Sequence, residues 1–194
     1  MENITFADNF TGALADDWLW LREEPSAWRV AEGVLHLRAL PGTLWGANNT
    51  ARNFALRPAQ ALCEGLAAEV TVTNQPVIHA EQAGMIWYCD DDNYVKFIKE
   101  SLDGAVWVIM AREEEGQSAL VNRVPAPAET VRLRLALVEG QVTGQFRVAD
   151  GDWQTVGACA PVEKGDIHIG LFTHGGPADE EHWAQFTHFA TGTL

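Results

Sequence analysis

The sequence predicts an all-β protein, a sandwich of two antiparallel sheets, and three observations lead there. Apolar residues recur with a period of two in one run after another, the period that puts alternate side chains on one face of a strand. Compact turn pairs separate the runs: Glu32-Gly33, Glu139-Gly140 and Asp150-Gly151. No segment sustains the 3.6-residue stripe of an amphipathic helix. Turn signals every 8–12 residues or so, with no helices between them, are the signature of an antiparallel sandwich.

Taken in order, Gly33 to Ala39 alternates through Val34, Leu35 and Leu37 and follows the Glu32-Gly33 turn. Pro58 to Ala68 has the best helical potential, but Gly65 interrupts it, so at most a short helical turn is expected. Leu66 to Thr73 is rich in β-branched residues toward its end. Two runs around Asp90-Asp91-Asp92-Asn93 form a hairpin, and Ala105 to Val108 is the next strand. Glu113-Glu114-Glu115-Gly116 reads as a solvated hairpin tip. Glu139-Gly140 joins Thr130–Val138 to Gln141–Val148, and Asp150-Gly151 leads into Trp153. Ile167, Ile169 and Leu171 alternate with His168, Gly170 and Phe172, and Trp183 to Ala190 closes the series.

The hairpin from Glu81 to Glu100 carries the most information about function. A turn at Asp91-Asp92 pairs Cys89 with Tyr94, Trp87 with Lys96 and Met85 with Ile98. One face then holds Trp87, Tyr94, Lys96 and Glu100; the other holds Ile86, Tyr88, Val95 and Phe97. Aromatic rings beside a cation and a carboxylate suit a sugar, which offers C–H patches to rings and hydroxyls to charged groups.

Composition excludes several classes. Lys plus Arg number 13 against 27 Asp plus Glu, a formal charge of -14, which opposes the phosphate neutralisation that nucleic acid or anionic membranes require. Neutral or cationic partners fit better. Hydrophobic residues make up 47%, enough for a single large core, and no linker divides the chain, so residues 1–194 are expected to form one domain. No apolar run approaches the ~20 residues of a membrane helix. The N-terminus lacks a secretory pattern and the cysteines Cys63, Cys89 and Cys159 are odd in number, which points to a reducing, cytoplasmic location with Cys63 and Cys89 as small core residues. The histidines show no close-spaced ligand motif, and no phosphate loop, dinucleotide fingerprint or Gly-x-Ser-x-Gly elbow is present, so no cofactor or metal is expected.

Phe6-Ala7-Asp8-Asn9-Phe10, Trp18 and Trp20, the run Trp28 to Leu37, Thr43-Leu44-Trp45, and the hairpin Glu81 to Tyr94 carry a resemblance. The chain resembles, nearly end to end, the concanavalin A-like domains known as domain of unknown function 1349, a group similar to the C-terminal sandwich of family 43 β-xylosidases and including a relative of a yeast regulator of enolase. The resemblance implies a concanavalin A-like jelly-roll with one curved sheet and carbohydrate recognition on its concave side. No glycosidase domain accompanies the sandwich in this chain, so a domain acting without one is expected. Relatives often end in Phe-Asp-Asp-Phe and place an N-terminal Asp in a calcium site; here Phe186-Thr187-His188-Phe189 lacks those carboxylates, leaving Asp8 with few partners and no calcium expected.

Alternation on neighbouring strands extends the expected groove. The ligand-binding set is Trp45, Trp87, Tyr94, Lys96, Trp107, Arg134, His174 and Trp183, with Trp45 and Trp183 closing the two ends. Their rings would stack on sugar faces while Lys96, Arg134 and His174 bond hydroxyls. The first alternative is a glycoside hydrolase: in the expected register Glu81 lies diagonally beside Glu100, roughly 7–8 Å away at the backbone, a separation usable for acid and nucleophile or base. The second alternative is a protein-interaction module regulating a metabolic enzyme, and an exposed sheet edge offers a contact for a homodimer.

Overall fold

A computed structural model describes residues 1–59 and 64–194. Its strands are β1 (Asn3–Asp8), β2 (Leu19–Leu21), β3 (Trp28–Ala31), β4 (Val34–Arg38), β5 (Leu44–Trp45), β6 (Asn48–Asn49), β7 (Phe54–Pro58), β8 (Leu66–Thr73), β9 (Gln82–Asp90), β10 (Asn93–Leu102), β11 (Ala105–Glu114), β12 (Gln117–Pro125), β13 (Thr130–Val138), β14 (Gln141–Arg147), β15 (Gln154–Cys159), β16 (His168–His174) and β17 (Trp183–Thr193). The only helical element among the described residues is a 3-10 turn at Pro25–Ala27. The expected turn between Pro58 and Ala68 resolves into the end of β7 and the start of β8; its centre, with Cys63, lies outside the described residues.

Every strand pairing is antiparallel. One sheet runs β15-β14-β13-β8-β17-β4-β3, with β1 also on β17, and the other runs β12-β11-β10-β9-β16-β7-β2. The alternation in the sequence explains the layering. Val131, Leu133, Leu135, Val70, Val72, Leu35 and Leu37 point inward from the first sheet, and Met85, Trp87, Val95, Phe97, Val108 and Leu171 from the second, forming one core between them. Burial of each such side chain contributes about 1.5–3 kcal/mol. The sandwich of two antiparallel sheets is therefore the fold that the periodicity predicts.

Turn chemistry fixes the register. At Glu139-Gly140 both residues have positive φ, 51° and 70°, the conformation of a two-residue type I′ hairpin, and Val138 pairs with Gln141 across it. The acidic bend between β9 and β10 is less regular. Asp90 and Asn93 pair as expected, and Asp90 Oδ1 accepts hydrogen bonds from Asp92 N at 2.9 Å and Asn93 Nδ2 at 2.8 Å. A bulge follows, so Tyr94 pairs with Tyr88, Val95 with Trp87 and Lys96 with Ile86. This corrects the expected pairing of Trp87 with Lys96: one extra residue, Cys89, reverses the parity of all of β9.

The first turn of the chain is corrected as well. Asp8, expected to have few partners, accepts hydrogen bonds from Phe10 N at 2.7 Å, Ala15 N at 3.2 Å and the Trp18 indole at 2.8 Å. Its carboxylate ties the segment after β1 to the core.

Candidate functional site

The face of the seven-stranded sheet turned away from the sandwich core is the chemically unusual part of the molecule. In-register pairs between β10 and β11 set its layout: Tyr94 beside Glu113, Lys96 beside Ala111, Ile98 beside Ile109, and Glu100 beside Trp107. From β9 and β16, Ile86, Tyr88 and Phe172 join the same face. The chain between β4 and β7 folds over part of it, so that Leu44 and Ala51, with Phe54 of β7, are buried against these residues in a second apolar cluster. That loop is held by polar anchors. Lys96 Nζ donates to the Leu44 carbonyl at 3.1 Å, the Tyr94 hydroxyl oxygen lies 3.0 Å from the same carbonyl, and Gly46 N donates to Glu113 Oε2 at 2.9 Å.

What the loop leaves uncovered is a pocket of ≈ 340 Å³, with Gln82, Lys96, Glu100 and Ile109 from the sheet and Trp45 and His79 from the loops around it. Lys96 is 3% exposed, and its Nζ sits 4.9 Å from the centre of the Trp45 ring, itself 40% exposed. Burial pushes the Lys96 ammonium down to about 8, against the pull of Glu100 and Glu113. Burial also raises the Glu100 carboxyl above the usual carboxylate range, with Lys96 and His79 opposing. Glu100 Oε1 accepts a long hydrogen bond, 3.4 Å, from Gln82 Nε2, and Gln82 Oε1 is buried without a partner. Lys96 and Glu100 form no ion pair within 4.0 Å; four residues apart on β10, their Cα atoms are about 13 Å apart.

Behind the pocket, His174 is 2% exposed, and burial followed by the charge of Lys96 holds its imidazole well below the ordinary value. Neutral His174 packs on Phe172, with ring centres 5.6 Å apart. Burial and the adjoining Glu113 together push the Tyr94 hydroxyl far above the usual phenol range; it donates to Glu113 Oε2 at 2.6 Å and stays protonated. Trp107 lies on this face at its margin, its indole donating to Leu102 O at 3.1 Å and its ring under Arg123.

Four of the expected site residues lie elsewhere. Trp87 is fully enclosed between the sheets, its indole donating to Val162 O at 3.1 Å, because the bulge turned β9 over. Arg134 lies on the outer face of the other sheet, bound to Glu69 and stacked on Trp153 at 3.9 Å. Trp183 is on that other sheet too, against Arg29, beside a separate pocket of ≈ 250 Å³. Glu81 lines that second pocket. Its carboxylate accepts hydrogen bonds from Val77 N at 2.9 Å and Ile78 N at 3.4 Å and meets His182 Nδ1 at 3.0 Å, while Gln82 takes the place opposite Glu100. The expected Glu81–Glu100 pair is therefore not formed. Glu113, opposite Tyr94, is six residues along the sheet from Glu100, about 20 Å, well beyond the roughly 5–9.5 Å of a glycosidase pair.

Trp45, Tyr94, Lys96, Glu100, Trp107 and His174 share this face of the sheet, whereas Gln82, His79 and Glu113 were not anticipated. The sequence signal for Glu113 was available: it shares parity with Ile109 and Ala111 and is completely buried, so it is not part of the solvated tip. Gln82 became visible only through the bulge.

Two antiparallel sheets with a loop-covered outer face define a concanavalin A-like sandwich. The chain belongs to the β-xylosidase C-terminal concanavalin A-like domain family, whose model matches residues 7–191. No curated protein sequence matches it. Among solved structures it is similar to the family 43 glycoside hydrolase BlXynB from Bacillus licheniformis, with a TM-score of 0.86 at 19% identity over 97% of this chain. It is also similar to the xylan β-1,4-xylosidase from Bacillus halodurans, with a TM-score of 0.81 at 20% identity over 95% of this chain. The chain spans 39% and 38% of the length of those two enzymes. A functionally unknown protein from Saccharomyces cerevisiae is matched over 92% of this chain and 97% of its own, with a TM-score of 0.72 at 16% identity.

Proposed function

We propose that the protein binds a carbohydrate or sugar-derived small molecule in the pocket bounded by Trp45, Lys96 and Glu100. One observation carries this reading: a buried cation and a buried carboxyl line the same open pocket without neutralising each other, under an accessible indole. Buried charge costs several kcal/mol unless paired. Ligand hydroxyls supply further acceptors for the Lys96 ammonium, which has only the Leu44 carbonyl, and donors for Glu100, which has one long bond, and for Gln82 Oε1, which has none, while the ring's C–H face lies on Trp45. At ≈ 340 Å³ the pocket is at the small end of the roughly 300–1,000 Å³ typical of ligand sites, a size for one or two sugar rings rather than a polymer.

The family supports the sugar reading, since it is described as a C-terminal domain of β-xylosidases and the similar Bacillus halodurans structure is a xylan β-1,4-xylosidase. The hairpin residues Glu81 to Tyr94 support the narrower kinship with domains of unknown function 1349, and the free thiols of Cys89 and Cys159 support a cytoplasmic setting.

Thermal-shift and calorimetric titration with xylose, arabinose, glucose and their disaccharides test the proposal. Saturable binding by the wild type, weakened about tenfold or more by Trp45→Ala, is expected. Equal affinity in the wild type and Trp45→Ala would place the ligand elsewhere, and no binding across the panel would remove the sugar reading.

A further inference from the structure

We propose that Lys96 is a carbonyl-capturing nucleophile, so that the pocket takes the open-chain aldehyde or ketone form of its ligand and holds it as an imine. The inference deepens the pocket reading above and rests on it. Three features of the geometry carry it. Lys96 lines the pocket yet is almost wholly removed from water. Its nearest polar contact is a neutral carbonyl, Leu44 O, and it makes no ion pair with any described carboxylate. Glu100, with a single long hydrogen bond, lies in the same pocket and can supply and recover a proton.

The titratable groups around the amine are Glu100 on its own strand, Glu113 on β11, the neutral His174 on β16, and His79 on the loop before β9. Burial outweighs the two carboxylates and brings the ammonium down to about 8, so an appreciable fraction is free amine near neutrality. The same burial favours the acid form of Glu100.

The step balances without another reagent. The Lys96 lone pair adds to the carbonyl carbon, the carbonyl π pair moves to oxygen, and the amine proton follows it to give a carbinolamine. Glu100 in its acid form protonates that hydroxyl, which leaves as water as the nitrogen lone pair closes the C=N bond. The iminium N–H then returns its proton to the Glu100 carboxylate.

The sequence offers a clean internal comparison, since the chain has only three lysines: Lys96, Lys99 and Lys164. Lys164 is exposed and paired with Glu115 at 2.9 Å, which raises its ammonium above the ordinary value. Lys99 is buried, and its amine is bound to the Asn74 and Glu129 carbonyls. The experiment treats the full chain with glycolaldehyde, and separately with D-xylose, in sodium cyanoborohydride near neutral pH and maps the adducts by peptide mass spectrometry. Lys96 should be alkylated about tenfold faster than Lys164, and the Lys164→Arg variant should keep the Lys96 adduct. Because the wild type compares its own amines, no result depends on a Lys96 variant folding.

Labelling confined to Lys164, or equal at all three lysines, overturns the proposal. Methyl β-xyloside, which has no free carbonyl, separates this failure from failure of the pocket reading. Saturable binding of the glycoside with no Lys96 adduct ends the imine proposal alone. A Lys96 adduct from glycolaldehyde with no binding of either sugar retains the nucleophile and ends the sugar reading.

Discussion

The outer faces of the two sheets each bury charge, and they do so in opposite ways. On the eight-stranded sheet Glu69, 3% exposed, is met by Arg134 at 2.6 Å, Arg132 at 2.7 Å and the N-terminal ammonium at 3.7 Å, with Trp153 beneath the guanidinium. Burial would raise the Glu69 carboxyl, but the Arg134 hydrogen bond and the surrounding positive charges more than offset it and hold the group below its ordinary range. On the seven-stranded sheet Lys96, Glu100, Gln82 and His174 are just as buried, yet burial dominates and each ionisable group is pushed toward its neutral form. On the first face the protein itself supplies the buried carboxylate with its counter-charges. The second leaves Lys96 and Glu100 in one pocket without an ion pair and Gln82 Oε1 without a partner, which is why the first reads as structure and the second is the proposed site.

The largest expected effect that would break this contrast is at Glu69. Glu69→Gln strands two arginines and should cost about 2–3 kcal/mol in urea denaturation. An unchanged unfolding midpoint would mean that the network is an ornament of the surface. The wild-type contribution is fully present above the ordinary carboxylate pKa and is lost as pH falls through the lowered folded value, so the gap between wild type and variant should close on acidification.

A smaller effect is expected where the two kinds of interaction meet. Tyr94→Phe removes the hydroxyl that donates to the buried Glu113 at 2.6 Å and lies 3.0 Å from Leu44 O. A loss of about 1–2 kcal/mol should appear by chemical denaturation, together with faster amide exchange at Trp45 and Gly46. The same exchange rates in both proteins would detach the loop from its anchors.

Lys96→Met should leave stability within about 1 kcal/mol of wild type, since an apolar chain of similar length replaces a costly buried cation. Loss of several kcal/mol would show that Lys96 serves the fold rather than a ligand. The subtlest signature is in alkali. Between about pH 8 and the ordinary lysine range the unfolded chain still binds protons that folded Lys96 and Lys99 have released, so stability should rise with pH. Lys96→Met should make that rise shallower, leaving the Lys99 part; an identical slope would contradict the burial argument.

The fold was legible because strand periodicity and turn chemistry act locally. Val131 to Leu137 declares its inward face residue by residue, and Glu139-Gly140 states its own turn type. The site was half legible for a related reason. Tyr94, Lys96 and Glu100 lie after the acidic bend, and their common face follows from alternation alone. Trp87 lies before the bend, where a single bulged residue at Cys89 inverts every side chain, and nothing in Asp90-Asp91-Asp92-Asn93 announces that insertion. Arg134 and Trp183 were misplaced because alternation gives a residue's face within a strand but not which sheet the strand joins. The covering of the sheet by Leu44 to Gly46 depends on polar contacts with Tyr94, Lys96 and Glu113, fifty or more residues downstream, and no local pattern encodes contacts at that separation.

Eight tryptophans provide the most direct probe of the central claim, because the indole N–H signals of a titrated sample report on each ring separately. On addition of the saccharide selected by the binding screen, the Trp45 indole should move in a saturable way while the Trp87 indole, sealed between the sheets against Val162, stays still. A titration in which Trp45 is silent and the indole of Trp183 or Trp153 moves instead would contradict the account, since the ligand would then occupy the other sheet.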